Sequence, residues 1–147
     1  MKAVIQRVRS SFVTVEGTQI AEIGQGLLVL LGVADTDTHA DADVLIQKIP
    51  QLRIFEDENG KMNRSLIDTN GEILIVSQFT LLGDCKKGRR PSFAHAALPK
   101  IANELYLYVA AEIKKQGLRV QTGQFAAMMD VTLINDGPVT LILDTKE

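Results

Sequence analysis

Residues that could act on a carbonyl group follow the apolar run 73–76, in the segment Ser77-Gln78-Phe79-Thr80. Polar residues at the exit of a strand can face a cleft, where hydroxyls and free backbone N–H groups meet a reacting carbonyl. The same pattern is typical of an edge strand whose serine and threonine face water. The segment is therefore a candidate catalytic site only in combination with other features.

A second candidate is the Gly137-Pro138 step, which lies between two runs rich in β-branched and aliphatic residues. Glycine accepts backbone angles closed to other residues, and a peptide bond before proline can be cis at modest cost. Such a step can aim two carbonyl groups in a direction that ordinary backbone cannot. On its own, however, Asn-Asp-Gly-Pro between strand-like runs indicates a hairpin turn.

A compact basic loop holds four cations within five positions, at Lys86, Lys87, Arg89 and Arg90. The net charge of the chain is only -2, so this local cluster suits a partner that is anionic at one place, although many charge runs are simply solvated loops. Cys85 precedes the lysines and could act as a nucleophile. No histidine shares a motif with it, so an unreactive loop cysteine is the simpler interpretation.

Conventional catalytic constellations are missing from the sequence. The chain has two histidines, His39 and His95, and no His-Glu-x-x-His, Gly-x-Ser-x-Gly or glycine-rich phosphate motif. A triad of Ser77, Asp84 and His95 can be drawn, but such triples occur by chance in most sequences. We therefore expect no metal site and no cofactor, and any catalysis must use less usual groups.

The acidic stretch 35–43 precedes Val44, Leu45, Ile49 and Leu52, whose spacing predicts a helix with negative charge at its N-terminal end. A calcium loop is excluded, because its sixth position holds alanine and its twelfth holds isoleucine.

The rest of the chain is mostly β. A second helix is predicted from Pro99 to Gly117, with an apolar face formed by Ile101, Leu105, Tyr108, Val109 and Ile113. Strands are predicted at 2–8, 12–16, 20–23, 27–33, 52–55, 72–82 and 118–121, and in two arms around the Gly-Pro step. This order predicts a single α+β domain over residues 1–147, with a curled mixed or antiparallel sheet or barrel and two main packed helices.

Composition agrees with one soluble domain, since 46% of the 147 residues are hydrophobic and 23% are charged. The longest apolar stretch, 26–34, is far too short to cross a bilayer, and the first residues do not resemble a secretory signal. With a single cysteine, these features predict a cytoplasmic protein that is not bound to a membrane.

Taken together, the segments 77–80, 86–93 and 135–140 resemble those of the D-aminoacyl-tRNA deacylases. The segments occur in the family's order and spacing, and the likeness covers essentially the whole chain, beginning with residues 3–8. Each segment alone is weak, but the set is highly specific. The resemblance implies an enzyme that hydrolyses the ester bond of D-aminoacyl-tRNA and releases tRNA and the D-amino acid.

Members of this family are homodimers in which the Gly-Pro step is cis and projects into the partner's active site. Carried over, Gly137 and Pro138 would reject L-aminoacyl groups by steric clash, and Arg7 would hold their loop in place. A proofreader that accepts many side chains must read the α-carbon with backbone atoms, so it selects by rejection. Glycyl-tRNA, including glycine mischarged on tRNA-Ala, has no side chain to clash and is expected to be hydrolysed as well.

By the same resemblance, Ser77, Gln78, Phe79 and Thr80 would line the scissile ester, with the N–H groups of Phe79 and Thr80 as an oxyanion site. Thr80 is a candidate nucleophile, but no motif places a base beside it, and an unactivated threonine is a poor nucleophile. Substrate-assisted hydrolysis, in which the 2'-hydroxyl of the terminal adenosine helps to activate water, is the preferred alternative.

Phe125 and Met129 match positions that contact the terminal adenine, although both could equally be core residues. The basic loop would then contact phosphates of the tRNA acceptor end, which positions RNA without reading its sequence.

Two other classes of function fit the same residues. One is a non-catalytic RNA-binding module that uses the basic loop and a dimeric sheet, and the missing catalytic residues support it. The other is a general esterase that cleaves small esters regardless of their stereochemistry.

Overall fold

The computed structural model describes residues 1–147 and contains eight strands and three α-helices. In chain order these are β1 (Lys2–Val15), β2 (Thr18–Ile23), β3 (Gly26–Gly32), α1 (His39–Lys48), β4 (Phe55–Glu56), β5 (Met62–Arg64), α2 (Leu66–Thr69), β6 (Glu72–Ser77), α3 (Pro99–Lys114), β7 (Arg119–Thr122) and β8 (Asp130–Asp144). Two 3-10 turns, Ile49–Gln51 and Phe79–Leu82, follow α1 and β6.

The long strand β1 organises a six-stranded mixed sheet. Along one edge, its first half pairs antiparallel with β3 and its second half pairs antiparallel with β2. Along the other edge, β8 pairs antiparallel with almost the whole of β1. The sheet continues from β3 through parallel β6 to parallel β7, while β4 and β5 form a separate pair. The predicted single α+β domain with a curled mixed sheet is confirmed.

Hydrophobic clusters cover both faces of this sheet. In β3, Leu27, Val29 and Leu31 belong to a cluster of 24 buried residues that includes α1 and α3, whereas Leu28 belongs to a smaller cluster of seven. The alternation follows from strand geometry, because successive side chains point to opposite faces. A strand as apolar as β3 is therefore stable only when both faces are covered.

The two main helices form where they were predicted, and their ends follow local signals. At the start of α1, the Asp41 carboxylate accepts from the Thr38 N–H at 3.0 Å, and the Thr38 hydroxyl accepts from backbone N–H groups of the first turn. Pro99 opens α3, and Gly117 follows it with a φ of +91°. None of the helices combines the length and apolar character needed to cross a membrane.

The predicted apolar face of α3 is partly wrong. Leu105, Val109 and Ile113 are buried, but Ile101 is exposed, and the face also includes buried Tyr106, which the prediction omitted. Tyr108 is half-buried and packs against the larger core cluster, while its hydroxyl donates to Asp43 on α1 at 2.7 Å.

The strand predictions also need correction. The segments 2–8 and 12–16 are one strand, because β8 pairs with β1 across the gap between them. The strand predicted at 72–82 ends at Ser77, and the one predicted at 52–55 is reduced to Phe55–Glu56. The sequence analysis did not identify β5 or the four-residue helix α2.

The hairpin interpretation of Gly137-Pro138 is wrong as well. Both flanking arms pair with β1 in the same antiparallel direction, so the chain does not reverse and β8 is continuous from Asp130 to Asp144.

Candidate active site

The segment after β6 presents backbone donors at the end of the sheet. The Gln78 N–H donates to the Leu31 carbonyl at 2.8 Å, which fixes the following 3-10 turn to the end of β3. Phe79 and Thr80 are the first two residues of that turn, so their N–H groups have no carbonyl partner within it. Both residues are exposed. Two adjacent N–H groups are therefore free to meet a developing oxyanion.

The Thr80 hydroxyl is not paired with a base. Its hydrogen-bond partner is the side-chain amide of Gln78, an uncharged donor that cannot take up a proton at neutral pH. Nor do Ser77, Asp84 and His95 form a hydrogen-bonded triad. The Asp84 carboxylate accepts from the Lys86 N–H at 2.9 Å, and the nearest acid to His95 is Asp35, at 4.0 Å.

An apolar cavity of about 650 Å³ opens beside Ser77, Gln78 and Phe79. Thirteen of its sixteen lining residues are hydrophobic, among them Phe125 and Met129. A concave apolar surface with a few polar groups at one end is the usual form of a small-molecule site. The structure thus brings three of the four residues of the predicted catalytic segment and both predicted adenine contacts to one cavity, while Thr80 lies next to it in sequence but outside its lining.

Two aromatic residues that were not predicted as site residues pack against this cavity: Phe93 lines it, and Tyr106 lies behind its lining residue Phe125. At its rim, Phe93 packs edge-on against Phe79 with ring centroids 5.2 Å apart. Beneath it, Tyr106 lies 6.2 Å from Phe125 and donates a hydrogen bond to the Ile75 carbonyl at 2.8 Å. Burial raises the pKa of Tyr106 to about 12, so its phenol stays a neutral donor. Phe93 could have been identified from its place in the family-like loop, whereas Tyr106 had no signal beyond helical spacing.

Gly137 and Pro138 lie in an enlarged bulge of β8. Gln6 pairs with Thr140 and Val8 pairs with Asn135, so four residues of β8 face the single residue Arg7. The Gly137-Pro138 peptide bond is cis, in agreement with the resemblance, and both residues are exposed.

Arg7 anchors this bulge from the buried side. It is 5% exposed, its Nε donates to the Asp136 carbonyl at 3.0 Å, and its Nη1 donates to the Ile54 carbonyl at 2.6 Å. The Asp136 carboxylate lies 3.3 Å from the same Nε. The planar guanidinium therefore fixes the loop before Gly137 to the segment that leads into β4.

Within one chain, Gly137 and Pro138 do not line the apolar cavity. A separate polar cavity of about 330 Å³ lies at the base of their bulge, lined by Arg7, Gln25, Phe55, Glu56, Arg64, Thr69 and Asp136. The predicted filter and the predicted catalytic segment are thus two separate features of a single chain.

The basic loop is joined by hydrogen bonds at its base, and its cations are exposed to solvent. Asp84 and Ser92 exchange two backbone hydrogen bonds, of 2.8 and 3.0 Å, across its base. Its exposed cations form no ion pair within the chain; they are Lys86, Lys87, Arg89 and Arg90. The loop leads directly into Phe93 at the cavity rim, so an anion held there would lie close to the cavity. Cys85 is an exposed free thiol, and no set of three His, Cys, Asp or Glu side chains is arranged to hold a metal ion.

The sequence and the fold of this chain match those of known proteins. The profile of the family described as D-Tyr-tRNA(Tyr) deacylase matches residues 4–144. A D-aminoacyl-tRNA deacylase of Clostridioides difficile is 58% identical over 147 residues, covering 100% of this chain and 99% of the relative. One of Bacillus cytotoxicus is 55% identical over 146 residues, with 99% and 100% covered. A solved structure described as c-Myc DNA Unwinding Element Binding Protein is 43% identical, with a TM-score of 0.92 and 98% of each chain covered.

Proposed function

This chain belongs to the D-Tyr-tRNA(Tyr) deacylase family and is a D-aminoacyl-tRNA deacylase, and we propose that it combines substrate-assisted hydrolysis with a Gly137-Pro138 filter that rejects L-aminoacyl groups. The reaction releases free tRNA and the D-amino acid in the cytoplasm. The observation that carries the proposal is the position of the free N–H groups of Phe79 and Thr80 beside an apolar cavity of about 650 Å³.

The adenine of the terminal adenosine enters this cavity, against Phe125 and Met129. The carbonyl of the ester that joins the aminoacyl group to the ribose of this adenosine then meets the 77–80 segment. Water adds to the carbonyl carbon, the N–H groups of Phe79 and Thr80 stabilise the resulting oxyanion, and the 3'-oxygen of the adenosine leaves with a proton. The substrate's 2'-hydroxyl helps to activate the water. The contact between Thr80 and Gln78 supports this route, because it gives the threonine no proton acceptor.

The filter acts in a homodimer, in which Gly137 and Pro138 reach the cavity of the partner subunit. Two observations support this arrangement. Both residues are exposed and lie outside their own chain's cavity, and β8 leaves one edge unpaired with large apolar side chains exposed, Ile134 at 57% and Ile142 at 73%. An open apolar edge strand is a surface on which a second copy can pair.

Selection by clash also fixes what the enzyme tolerates. A D side chain points away from the Gly-Pro backbone and an L side chain points into it, so the filter needs no pocket for the side chain. Glycine lacks a side chain, and glycyl-tRNA, including glycine mischarged on tRNA-Ala, is therefore also hydrolysed.

The tRNA body is held through phosphates near the acceptor end by the four exposed cations of the basic loop. Their exposure and lack of ion-pair partners leave them free for this role, which positions RNA without reading its sequence.

One experiment tests the proposal against both rival classes. The protein is incubated with matched D- and L-tyrosyl-tRNA and with small esters of D- and L-tyrosine, and the fraction of each ester that survives is measured. We expect rapid loss of D-tyrosyl-tRNA alone. Full survival of both tRNA esters would favour a non-catalytic RNA-binding module, and equal cleavage of all four esters would favour a general esterase.

A further inference from the structure

The bulge that carries Gly137 and Pro138 interrupts the hydrogen-bond ladder between β1 and β8. Four residues, 136–139, face Arg7 alone, so the ladder cannot pair their backbone groups in the regular way. A backbone that discriminates by steric clash must nevertheless be held to within about 0.5 Å. Groups outside the ladder must therefore supply that precision.

The side chain of Asn135 spans this interruption. Its Nδ2 donates one hydrogen bond to the Arg7 carbonyl at 2.8 Å and a second to the Val139 carbonyl at 3.2 Å. Val139 is buried in the larger core cluster, and Arg7 belongs to the buried centre of β1. One amide group thus ties both ends of the bulge to fixed parts of the core.

The same amide also lies against Gly137 itself. A Cβ atom built on Gly137 would come within 3.2 Å of the Asn135 Oδ1. The amide oxygen therefore packs against the backbone of the filter while the amide nitrogen closes the bulge. Arg7 holds the carbonyl of Asp136 by a different contact, so the two side chains restrain different points of the loop.

We propose that Asn135 is a positioning residue for chiral discrimination, which fixes the Gly137-Pro138 backbone through its two amide hydrogen bonds. This inference rests on the proposed filter function of Gly137-Pro138. Both bonds require an N–H donor. Asn135→Asp keeps the shape of the side chain but places a carboxylate oxygen, which cannot donate, against two carbonyl oxygens.

The test compares Asn135→Asp and Asn135→Ser with the wild-type enzyme on matched D- and L-tyrosyl-tRNA. The measured quantity is the ratio of kcat/KM for the two substrates, which does not depend on the fraction of enzyme that is folded. We expect the D/L ratio to fall about tenfold or more for Asn135→Asp, because an isosteric change removes both bonds. Asn135→Ser keeps a single shorter donor, so its ratio should be intermediate. Asn59→Asp, the same change in the exposed 57–60 turn, should leave the ratio unchanged.

The outcomes separate this inference from the function on which it rests. A wild-type enzyme with no D/L preference would overturn the filter itself. A wild-type enzyme that discriminates, beside Asn135 variants with an unchanged ratio, would overturn only the role of Asn135. If Asn135→Asp yields too little enzyme to assay, the ratio for Asn135→Ser decides in the same way.

Discussion

The Nε of Arg7 donates a hydrogen bond to the main-chain carbonyl of Asp136 at 3.0 Å, across 129 positions of sequence. A buried side chain of the central strand thereby holds the backbone of the loop that contains Gly137 and Pro138. The same guanidinium donates to the Ile54 carbonyl, so two backbone acceptors depend on one side chain.

Arg7→Lys should therefore impair both stability and selectivity. An ammonium group keeps the charge but cannot reach two carbonyls in the fixed directions of a guanidinium. We expect a loss of about 1–3 kcal/mol in the free energy of unfolding, from the carbonyl left without a partner. Urea unfolding measures the loss, and kinetics on D- and L-tyrosyl-tRNA should show a lower D/L ratio.

Arg9→Lys is the matched control for this substitution. The Arg9 side chain is 73% exposed and its Nε lies 3.8 Å from the Asp136 carboxylate, so the change should cost less than about 0.5 kcal/mol. Equal effects at Arg7 and Arg9 would contradict the anchoring role of Arg7.

Ile142→Lys should weaken the proposed dimer. A charge on the open edge of β8 opposes pairing with a second apolar edge, as charged residues do on natural edge strands. We expect sedimentation to show a shift toward monomer. On dilution, the activity per subunit should begin to fall at a higher protein concentration than it does for the wild type. Met62→Lys, at a 57% exposed position on β5, should change neither. A monomeric Ile142→Lys enzyme with full activity would rule out the cross-subunit site.

Local patterns predicted the strands and helices better than they predicted the pairing between strands. The alternation in β1 and the Pro99 and Gly117 signals of α3 depend on neighbouring residues, so the sequence carries them directly. The continuity of β8 through Gly137-Pro138 does not depend on neighbouring residues, because it is imposed by pairing with β1, more than a hundred residues away. Read locally, that segment can only look like a turn.

The candidate site shows the same division. Ser77 to Thr80 and Phe125 were predicted from their motifs, and the fold brings Ser77, Gln78, Phe79 and Phe125 to one cavity. Tyr106, which supports Phe125 from the core, was not predicted because helical spacing does not distinguish it from other core residues, and its hydrogen bond to Ile75 exists only after α3 packs on β6. Asn135 lay within a recognised segment, but its two bonds depend on the register of the bulge.

Thr80→Ala distinguishes the two routes to hydrolysis. Because the hydroxyl contacts only an amide, its loss should lower kcat on D-tyrosyl-tRNA by less than about tenfold, far below the cost of removing a nucleophile. A tRNA ending in 2'-deoxyadenosine should be almost inert with the wild-type enzyme. Single-turnover hydrolysis measures both. The opposite pattern, an inactive Thr80→Ala enzyme and a wild-type enzyme that cleaves the 2'-deoxy substrate normally, would identify threonine as the nucleophile.

Replacing Arg89 and Arg90 with glutamine should weaken tRNA binding and its dependence on salt. Each phosphate contact that is lost reduces the number of counterions released when tRNA binds. The slope of log(kcat/KM) against log[salt] should therefore become shallower by about 1–2. The value of kcat at saturating substrate should change little, since these cations lie outside the cavity lining. The double change Lys114→Gln and Lys115→Gln, at the end of α3, is the control of equal charge. An unchanged salt slope in the Arg89 and Arg90 variant would show that the basic loop does not contact the tRNA.

Asp41 should make the protein sensitive to acid. Burial by itself would raise the pKa of this carboxyl, but hydrogen bonds from the Thr38 N–H, the Lys146 ammonium and the Thr145 hydroxyl lower it to about 2. A carboxyl with a lowered pKa stabilises the folded state above its ordinary pKa of 3.8, and this contribution disappears as the pH falls toward 2. Asp41→Asn should cost about 1–2 kcal/mol at pH 7 and flatten the decline in stability between about pH 4 and 2. Urea unfolding across this range provides the measurement, with exposed Asp130→Asn as the control. If Asp41→Asn retained the wild-type decline below pH 4, other carboxylates would have to account for it.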